Sequence, residues 1–566
     1  MIFSCVVDAD FLDTETFFEP AKESIRGNYP SLVSLLPKFE AFMAGKLTGA
    51  NPTRVNRIRA EVLRQCEVAA SGQPGAYSLT VPTGGGKTLS SMAFALHHAA
   101  KPKDEKQRII YVIPYTSIIE QTAKVFRDIF GEAVLEHHSN LDVGDPAMDS
   151  ARSRLACENW DAPIIVTTSV QFFESLFAAR TSRSRKLHNI VNSVVILDEA
   201  QLLPPEFLSP ILHVLDELRK NYRVTLLITT ATQPALGPQP NFRGLAGITE
   251  IVPDPGKLHE DLKRVTIEIP ADLHTATSWD VVAADLSRHE SVLCVVNRRN
   301  DARDLWRRMP PDTIHLSRLM CGEHLSERIS EIKTRLKTGL PTRVVSTQLV
   351  EAGVDIDFPV VYRALAGLDS LAQAAGRCNR EGLLDSGQMR VFVPPTSAPP
   401  GILRQAEGVA RQLLSQEAAD HFTPAKFSDF FRQLYWIQGP RLDKEGILND
   451  LVPKGETEFR YSFRSAAGKF RLIDDSAYAA VVVPYQGGTQ LIRRLDQAPA
   501  NRDLLRKLQR FTVNLPRRVH GELLKQEVIR EVSPGIFVLT HPAFYDENLG
   551  FVVDASVVYD PNELFG

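Results

Sequence analysis

The chain runs Val81-Pro82-Thr83-Gly84-Gly85-Gly86-Lys87-Thr88, and this glycine triplet constrains its fold more than any other feature. Residues 77–81 read as a short strand and residues 89–100 as a helix, so the glycines sit where a strand hands over to a helix. Without side chains, that loop can bring backbone N–H groups against phosphate oxygens. The helix opening near Thr88 adds the positive end of its dipole. Lys87 can reach β- and γ-phosphates, and the Thr88 hydroxyl can ligate Mg²⁺. Thr83, Gly84, Gly85, Gly86, Lys87 and Thr88 are therefore the expected nucleotide-binding set, with ATP and Mg²⁺ as ligands. The plainer alternative is a glycine-rich turn with a surface lysine, and the strand–loop–helix context argues against it.

At 566 residues the chain is too long for one core, so two to four domains are expected. Its 65 basic residues are balanced by 68 acidic ones, so any nucleic-acid groove must be basic locally. Six cysteines are scattered with no Cys-x-x-Cys, which fits reduced thiols in a cytoplasmic protein and neither a zinc site nor a disulfide framework. No apolar run is long enough to span a bilayer, and the opening lacks a basic signal-peptide segment. No membrane partner is expected.

Strands are expected at 108–113, 164–168, 192–197 and 224–229, with helices at 51–70 and 118–130. Residues 237–256, rich in Pro and Gly, read as a linker or irregular edge. A second alternating block has strands at 292–296, 313–316, 343–346 and 360–362 and helices at 301–309 and 327–336, and ends near Pro394-Pro395. Such alternation predicts parallel sheets covered on both faces. The expected divisions are 1–50, 51–255, 256–395 and 396–566. In the first, Pro20, Pro30 and Pro37 break helical runs; the last carries no assignable motif.

Chemistry concentrates at the ends of the expected strands. Asp198-Glu199-Ala200-Gln201 closes an apolar strand. Asp198 could hold Mg²⁺ through water and Glu199 could polarise an attacking water, although an acidic pair there could also be a solvated turn. Thr230-Ala231-Thr232 follows the next strand and could couple this site to its surroundings. In the second block, Ser346-Thr347-Gln348 and Gly353-Val354-Asp355 precede Gln373-x-x-Gly376-Arg377-x-x-Arg380. Arg377 and Arg380, three apart, share a face if helical and could stabilise charge on a transferred phosphoryl group.

The ordered set resembles the superfamily 2 helicases. On that resemblance the fold is α/β, with two tandem RecA-like parallel-sheet domains plus a C-terminal accessory domain. Residues 83–88 resemble motif I, 114–121 motif Ia, 167–169 motif Ib, 198–201 motif II, 230–232 motif III, 346–355 motif V and 373–380 motif VI. Further segments, among them Phe94-Ala95-Leu96-His97-His98-Ala99, Glu136-His137-His138-Ser139-Asn140 and Arg185-Lys186-Leu187-His188-Asn189, resemble the helicase-nuclease of type I CRISPR systems, closest to subtype I-C. The resemblance implies an ATP-dependent single-strand DNA translocase and helicase moving 3′ to 5′ and recruited by the RNA-guided Cascade complex. Lys87, Asp198, Glu199, Arg377 and Arg380 would be catalytic, and Asp355 and Gln373 would touch nucleotide. Another superfamily 2 DNA or RNA motor, or an ATP-regulated nucleic-acid clamp, is the alternative.

That family usually opens with a His-Asp (HD) metal nuclease domain. Here there is no His-Asp dipeptide and no histidine before His97, and only Asp10 matches a ligand of that domain. One carboxylate cannot hold a catalytic metal alone. Nuclease activity is therefore expected to be absent, the chain being a truncation, a late-start frame, or a natural split with a separate HD nuclease. The pairs His97-His98 and His137-His138 diverge if helical and read as structural or nucleic-acid-loop residues rather than metal ligands. The basic run 180–186, including Arg183 and Arg185, is either a solvated face or a phosphate contact. Thr116, Ser117, Thr167, Thr168 and Thr347 are candidate contacts to a DNA backbone. Phe427, Phe430, Phe431, Tyr435 and Trp436 form an aromatic stripe whose helical spacing favours packing over base stacking.

Overall fold

A computed structural model describes residues 1–102, 104–114, 116–138, 151–240, 242–351, 353–416, 420–452, 461–473, 477–497 and 501–552. The backbone divides into two compact units, Met1–Lys263 with Thr423–Ile473, and Arg264–Phe422 with Asp474–Gly566.

The first unit is organised by a seven-stranded sheet. Its strands are β1 (Ala76–Thr80), β2 (Arg108–Ile113), β3 (Val134–His137), β4 (Ile164–Thr168), β5 (Ser193–Leu197), β6 (Thr225–Thr230) and β7 (Ile248–Glu250). They pair in the order β3-β4-β2-β5-β6-β1-β7, every pair parallel. The central strands read as unbroken apolar runs because helices cover both faces; β1, β4, β5 and β6 are buried at every position. Helix Lys87–Ala99 lies against this core through Met92, Phe94 and Leu96.

Strand β7 falls inside the stretch expected to be irregular. Its signal is three residues long and ends in a charge, Glu250. That carboxylate accepts from the Ser78 hydroxyl at 2.7 Å, the Thr80 hydroxyl at 2.7 Å, the Thr80 amide at 3.0 Å and the Val252 amide at 3.2 Å. One side chain thus stitches β7 to β1, the strand that feeds the glycine loop.

The expectation that prolines interrupt residues 1–50 fails at Pro37, which lies inside helix Leu32–Thr48. Tertiary burial of Leu32, Leu35, Phe39 and Met43 outweighs the lost backbone bond, and Phe39 stacks on Phe130 at 6.1 Å. The first helix, Ile2–Phe18, is fastened through Asp8.

The second unit carries a six-stranded parallel sheet. Its strands are β8 (Val265–Glu268), β9 (Ser291–Val295), β10 (Ile314–Leu316), β11 (Thr342–Ser346), β12 (Val360–Ala364) and β13 (Gly387–Phe392), in the order β10-β11-β9-β12-β13-β8. Strands β8 and β13 escaped the reading because they lie at one side of the sheet, where polar residues interrupt the apolar run.

Of residues 396–566, those from Thr423 to Ile473 group with the first unit and the rest with the second. In the first, helix Pro424–Gln438 buries Phe427, Phe430, Phe431, Leu434 and Tyr435, with Tyr435 5.9 Å from Phe242. Phe470 stacks on Phe177 at 4.0 Å. The aromatic stripe is thus mainly a packing face, with Trp436 alone of the five largely exposed, at 70%. In the second unit, β14 (Tyr478–Val482), β15 (Thr512–Pro516), β16 (Ile529–Ser533) and β17 (Ile536–Leu539) form a mixed sheet ordered β15-β14-β17-β16.

Replacing Glu250 with Ala strands several polar groups of β1 at once and is expected to destabilise the first unit by about 2–4 kcal/mol. Glu250→Gln, which keeps an acceptor, should lose less. Urea unfolding monitored by circular dichroism checks both.

Candidate functional site

Parallel strands place all their carboxyl ends at one edge, and β1, β5 and β6 are neighbours in the order β5-β6-β1. The loops that follow them are the glycine loop, Asp198-Glu199 and Thr230-Ala231-Thr232. Gly84 and Gly86 take left-handed φ of +84° and +90°. At Gly85 the constraint is space: a Cβ would lie 2.4 Å from Val81 Cγ1 and 3.1 Å from Leu262 Cδ1. The triplet is required by backbone geometry and by close approach, independently of any ligand.

Arg59, on helix Arg54–Ala69, was not marked by the sequence reading. Its Nε donates to the Gly84 carbonyl at 2.8 Å, and its stem covers Gly86. Nothing local distinguishes it from the other arginines of an amphipathic helix.

Lys87 Nζ is 2.7 Å from Glu199 Oε1, and only 9% of the lysine side chain is exposed. Gln201 Nε2 donates to the other Glu199 oxygen at 2.6 Å. Thr230 donates to Gln201 Oε1 at 2.6 Å and accepts the Thr232 amide at 3.0 Å. Asp198 Oδ1 accepts from Thr229 Oγ1 at 2.5 Å and from the Glu199 amide at 3.1 Å. A continuous chain of hydrogen bonds therefore runs from Lys87 through Glu199 and Gln201 to Thr230, with Asp198 bonded alongside it. Glu199 itself has φ +48°, a left-handed backbone uncommon for a non-glycine residue, and both its oxygens are held. Burial raises the Asp198 carboxyl pKa, the Glu199 charge adds to the rise, and Lys87 opposes it.

In the second unit, helix Leu368–Ala375 carries the buried Gln373. The helix ends before Arg377, so the two arginines do not share a helical face as expected. Arg377 is only 5% exposed; its Nε donates to the Val350 carbonyl at 2.8 Å and its Nη2 to the Glu351 carbonyl at 2.5 Å. It ties the loop after β11 to the segment after the helix. Asn379 has φ +44°, and Arg380 emerges beyond it with Nε 2.9 Å from Asp355 Oδ1. The Arg380 amide donates to Asp357 Oδ1 at 2.6 Å. Arg380 and Asp355 thus come together, and Arg377 lies inward. Thr347 is buried at 7% exposure.

The proposed DNA contacts are mostly turned into the protein. Thr167 is buried and donates to the His137 carbonyl at 2.9 Å; Thr168 caps helix Ser169–Leu176 by accepting the Gln171 amide at 3.2 Å. Arg185 is buried in an ion-pair cluster, Nε to Asp8 Oδ1 at 2.6 Å and Nη1 to Glu158 Oε2 at 3.0 Å, so it fastens the first helix. Burial pushes the nearby Lys186 down to about 8. Arg183 is half exposed and pairs with Glu174 at 2.8 Å. Residue 116 begins helix Thr116–Phe130, while its side chain, that of Ser117, and residues 139–140 lie outside the described residues.

His98 is buried between the Ala70 carbonyl and Thr225 Oγ1, each at 2.9 Å, and burial pushes its pKa down to about 4. Asp10 is exposed on the first helix. Among the described residues, no three His, Cys, Asp or Glu side chains group to hold a metal.

Comparison with known proteins gives the class first. Residues 60–237 match the DEAD/DEAH box helicase family, and residues 288–383 match the C-terminal family of the CRISPR-associated nuclease/helicase Cas3. With tandem parallel sheets and these loops at their strand ends, the chain is similar to the superfamily 2 helicases in sequence and fold. More particularly, it is Cas3-like. It is 26% identical to the CRISPR-associated nuclease/helicase Cas3 of Haloferax volcanii, covering 58% of this chain and 48% of that protein. It is also 26% identical to the Cas3 of Methanothermobacter thermautotrophicus, covering 57% and 40%. The chain spans about half the length of these curated relatives. In fold, it matches the AMPPNP-bound T. fusca Cas3 crystal structure with a TM-score of 0.62 at 15% identity, over 89% of this chain and 71% of that one. A chain of a pre-nicking CRISPR RNA-guided surveillance complex matches with a TM-score of 0.55 at 16% identity, over 85% and 66%. The similarity is to Cas3 generally and does not single out subtype I-C.

Because the folded state raises the Asp198 pKa, that carboxyl holds its proton more tightly when folded than when unfolded. Its ionisation therefore removes stability as pH rises from the unfolded toward the folded pKa. Asp198→Asn keeps an acceptor for Thr229 and should raise Tm at pH 7, with the gain shrinking as pH falls below the unfolded carboxylate range. Thermal melts across that range check the sign.

Proposed function

We propose that the chain is an ATP-dependent, single-strand DNA translocase and helicase acting in a type I CRISPR defence system, in the cytoplasm. The observation that carries the reading is the hydrogen-bonded chain from Lys87 through Glu199 and Gln201 to Thr230. A lysine, a carboxylate and a relay at one sheet edge fit phosphoryl transfer, where positioning and charge stabilisation supply most of the catalysis. The donor set also fits the ligands: the glycine loop hands over directly to helix Lys87–Ala99, whose N-terminal amides can meet phosphate, and Thr88 and Asp198 are oxygen donors of the kind Mg²⁺ takes.

Thr83, the loop amides and Lys87 would hold the phosphates. Thr88 and Asp198 would hold Mg²⁺, which when bound neutralises phosphate charge. For Lys87 to meet phosphate it must release Glu199, and the freed carboxylate is then available to orient water. Nucleotide entry thereby arms the base. Gln201 and Thr230 carry that change to the threonine triplet. Arg380 of the second unit would complete the charge stabilisation, with Asp355 and Gln373 toward the nucleotide. Arg377 serves by shaping the loops that present them. Arg183 remains the most accessible of the proposed arginine contacts to single-stranded DNA. Movement in the 3′-to-5′ direction, recruitment by the Cascade complex and cooperation with a separate HD nuclease complete the proposal.

The test is steady-state ATP hydrolysis with single-stranded DNA, duplex DNA or RNA added. Single-stranded DNA should stimulate most, and Glu199→Gln should lower kcat by about 10² or more while ATP binding persists. Preferential stimulation by RNA would favour another superfamily 2 motor. ATP binding without turnover in the parent chain would favour a clamp.

A further inference from the structure

The second unit buries a charged ring in which Glu351, from the segment that resembles motif V, meets Arg363 and Ser370, which lie outside the helicase-like motifs. Arg363 sits on β12 between β9 and β13 and is 0% exposed. Its Nε lies 2.7 Å from Glu351 Oε1, and its Nη2 donates to Ser370 Oγ at 2.9 Å. Ser370 in turn donates to Glu351 Oε2 at 2.7 Å, closing a three-membered ring of side chains. The remaining Arg363 nitrogen, Nη1, donates to Asn297 Oδ1 at 2.7 Å and to the Ala364 carbonyl at 2.9 Å. Burial raises the Glu351 carboxyl pKa, and Arg363 is the largest influence holding it down.

Stability alone does not account for this ring, because a buried ion pair is commonly no more stable than an apolar pair of similar size. Its placement suggests another role. Glu351 belongs to the loop that leads to Asp355, and Ser370 lies in the helix that leads to Arg377 and Arg380. Glu351 also offers its backbone carbonyl to Arg377 Nη2 at 2.5 Å. The two segments are then cross-linked downstream: Phe358 and Asn379 exchange bonds with Arg377 and Phe358 carbonyls at 2.9 Å each, and Asp357 accepts the Arg380 amide. The ring on the rigid central strand is thus the upstream anchor, and Arg380 paired with Asp355 is what it presents.

We propose that Arg363, Glu351 and Ser370 are positioning residues that set the register between the loop after β11 and the helix Leu368–Ala375, and so place Arg380 for phosphoryl transfer. They touch no substrate. The proposal rests on the ATPase reading above. A lost register weakens transition-state stabilisation by Arg380 and leaves phosphate binding at Lys87 intact, so kcat falls while KM for ATP does not move.

The experiment measures DNA-stimulated ATP hydrolysis by the full chain, normalised to sites counted with a fluorescent ADP analogue. Ser370→Ala and Glu351→Gln are expected to lower kcat per site at least tenfold, with KM for ATP within twofold of the parent. The double variant Glu351→Leu with Arg363→Met replaces the pair by apolar groups. It should keep the parent Tm yet stay at least tenfold slow, separating register from stability. Parent-like kcat per site in Ser370→Ala and in the double variant would overturn the proposal, and Ser370→Ala decides it if the others fail to fold. Glu199→Gln runs alongside: a parent chain no faster than that control would overturn the ATPase reading instead.

Discussion

The close backbone approach at Gly85 governs the first unit. A Cβ at residue 85 would stand 2.4 Å from Val81 Cγ1, so this loop conformation favours a residue without one. Its flanking glycines need left-handed φ, and Arg59 clamps the Gly84 carbonyl from a helix outside the loop. The tight loop sets where helix Lys87–Ala99 begins and hence where Lys87 points. Glu199, Gln201 and Thr230 follow from that position, each holding the next.

Protein contacts alone satisfy both members of the central pair of this chain. Lys87 is satisfied by Glu199, and Glu199 is held on both oxygens in an uncommon backbone conformation. A charge-assisted hydrogen bond of this kind is stronger than a neutral one, so a ligand must offer Lys87 something better. A phosphate does. The second unit shows the same logic in another form: Arg377 is spent on two backbone carbonyls so that the loops around Arg380 and Asp355 keep one arrangement.

Much of this was legible in the sequence where the cause is local. Three glycines between a strand and a helix, and apolar runs such as residues 193–197 ending in acid, are consequences of backbone geometry and two-sided burial. What was illegible depends on partners far along the chain. Arg185 looked like a surface charge because Asp8, its partner, lies 177 positions away. Arg377 and Arg380 looked alike until Ala375 ended the helix and Asn379 turned the backbone. Strand β7 is short and polar, and exists because Glu250 bonds to β1. Residues 396–566 carry no motif, and their division between two units follows from aromatic contacts such as Phe470 on Phe177.

The claim on which the rest stands is that Lys87 is the phosphate-holding cation of a nucleotide site. Isothermal titration of Mg·ATP into the parent chain and into Lys87→Ala tests it most directly, because binding is read without requiring turnover. The expected result is saturable binding by the parent and at least tenfold weaker binding by the variant, both titrated at a temperature where circular dichroism shows them folded. Equal ATP affinity in the two proteins would contradict the assignment of the site.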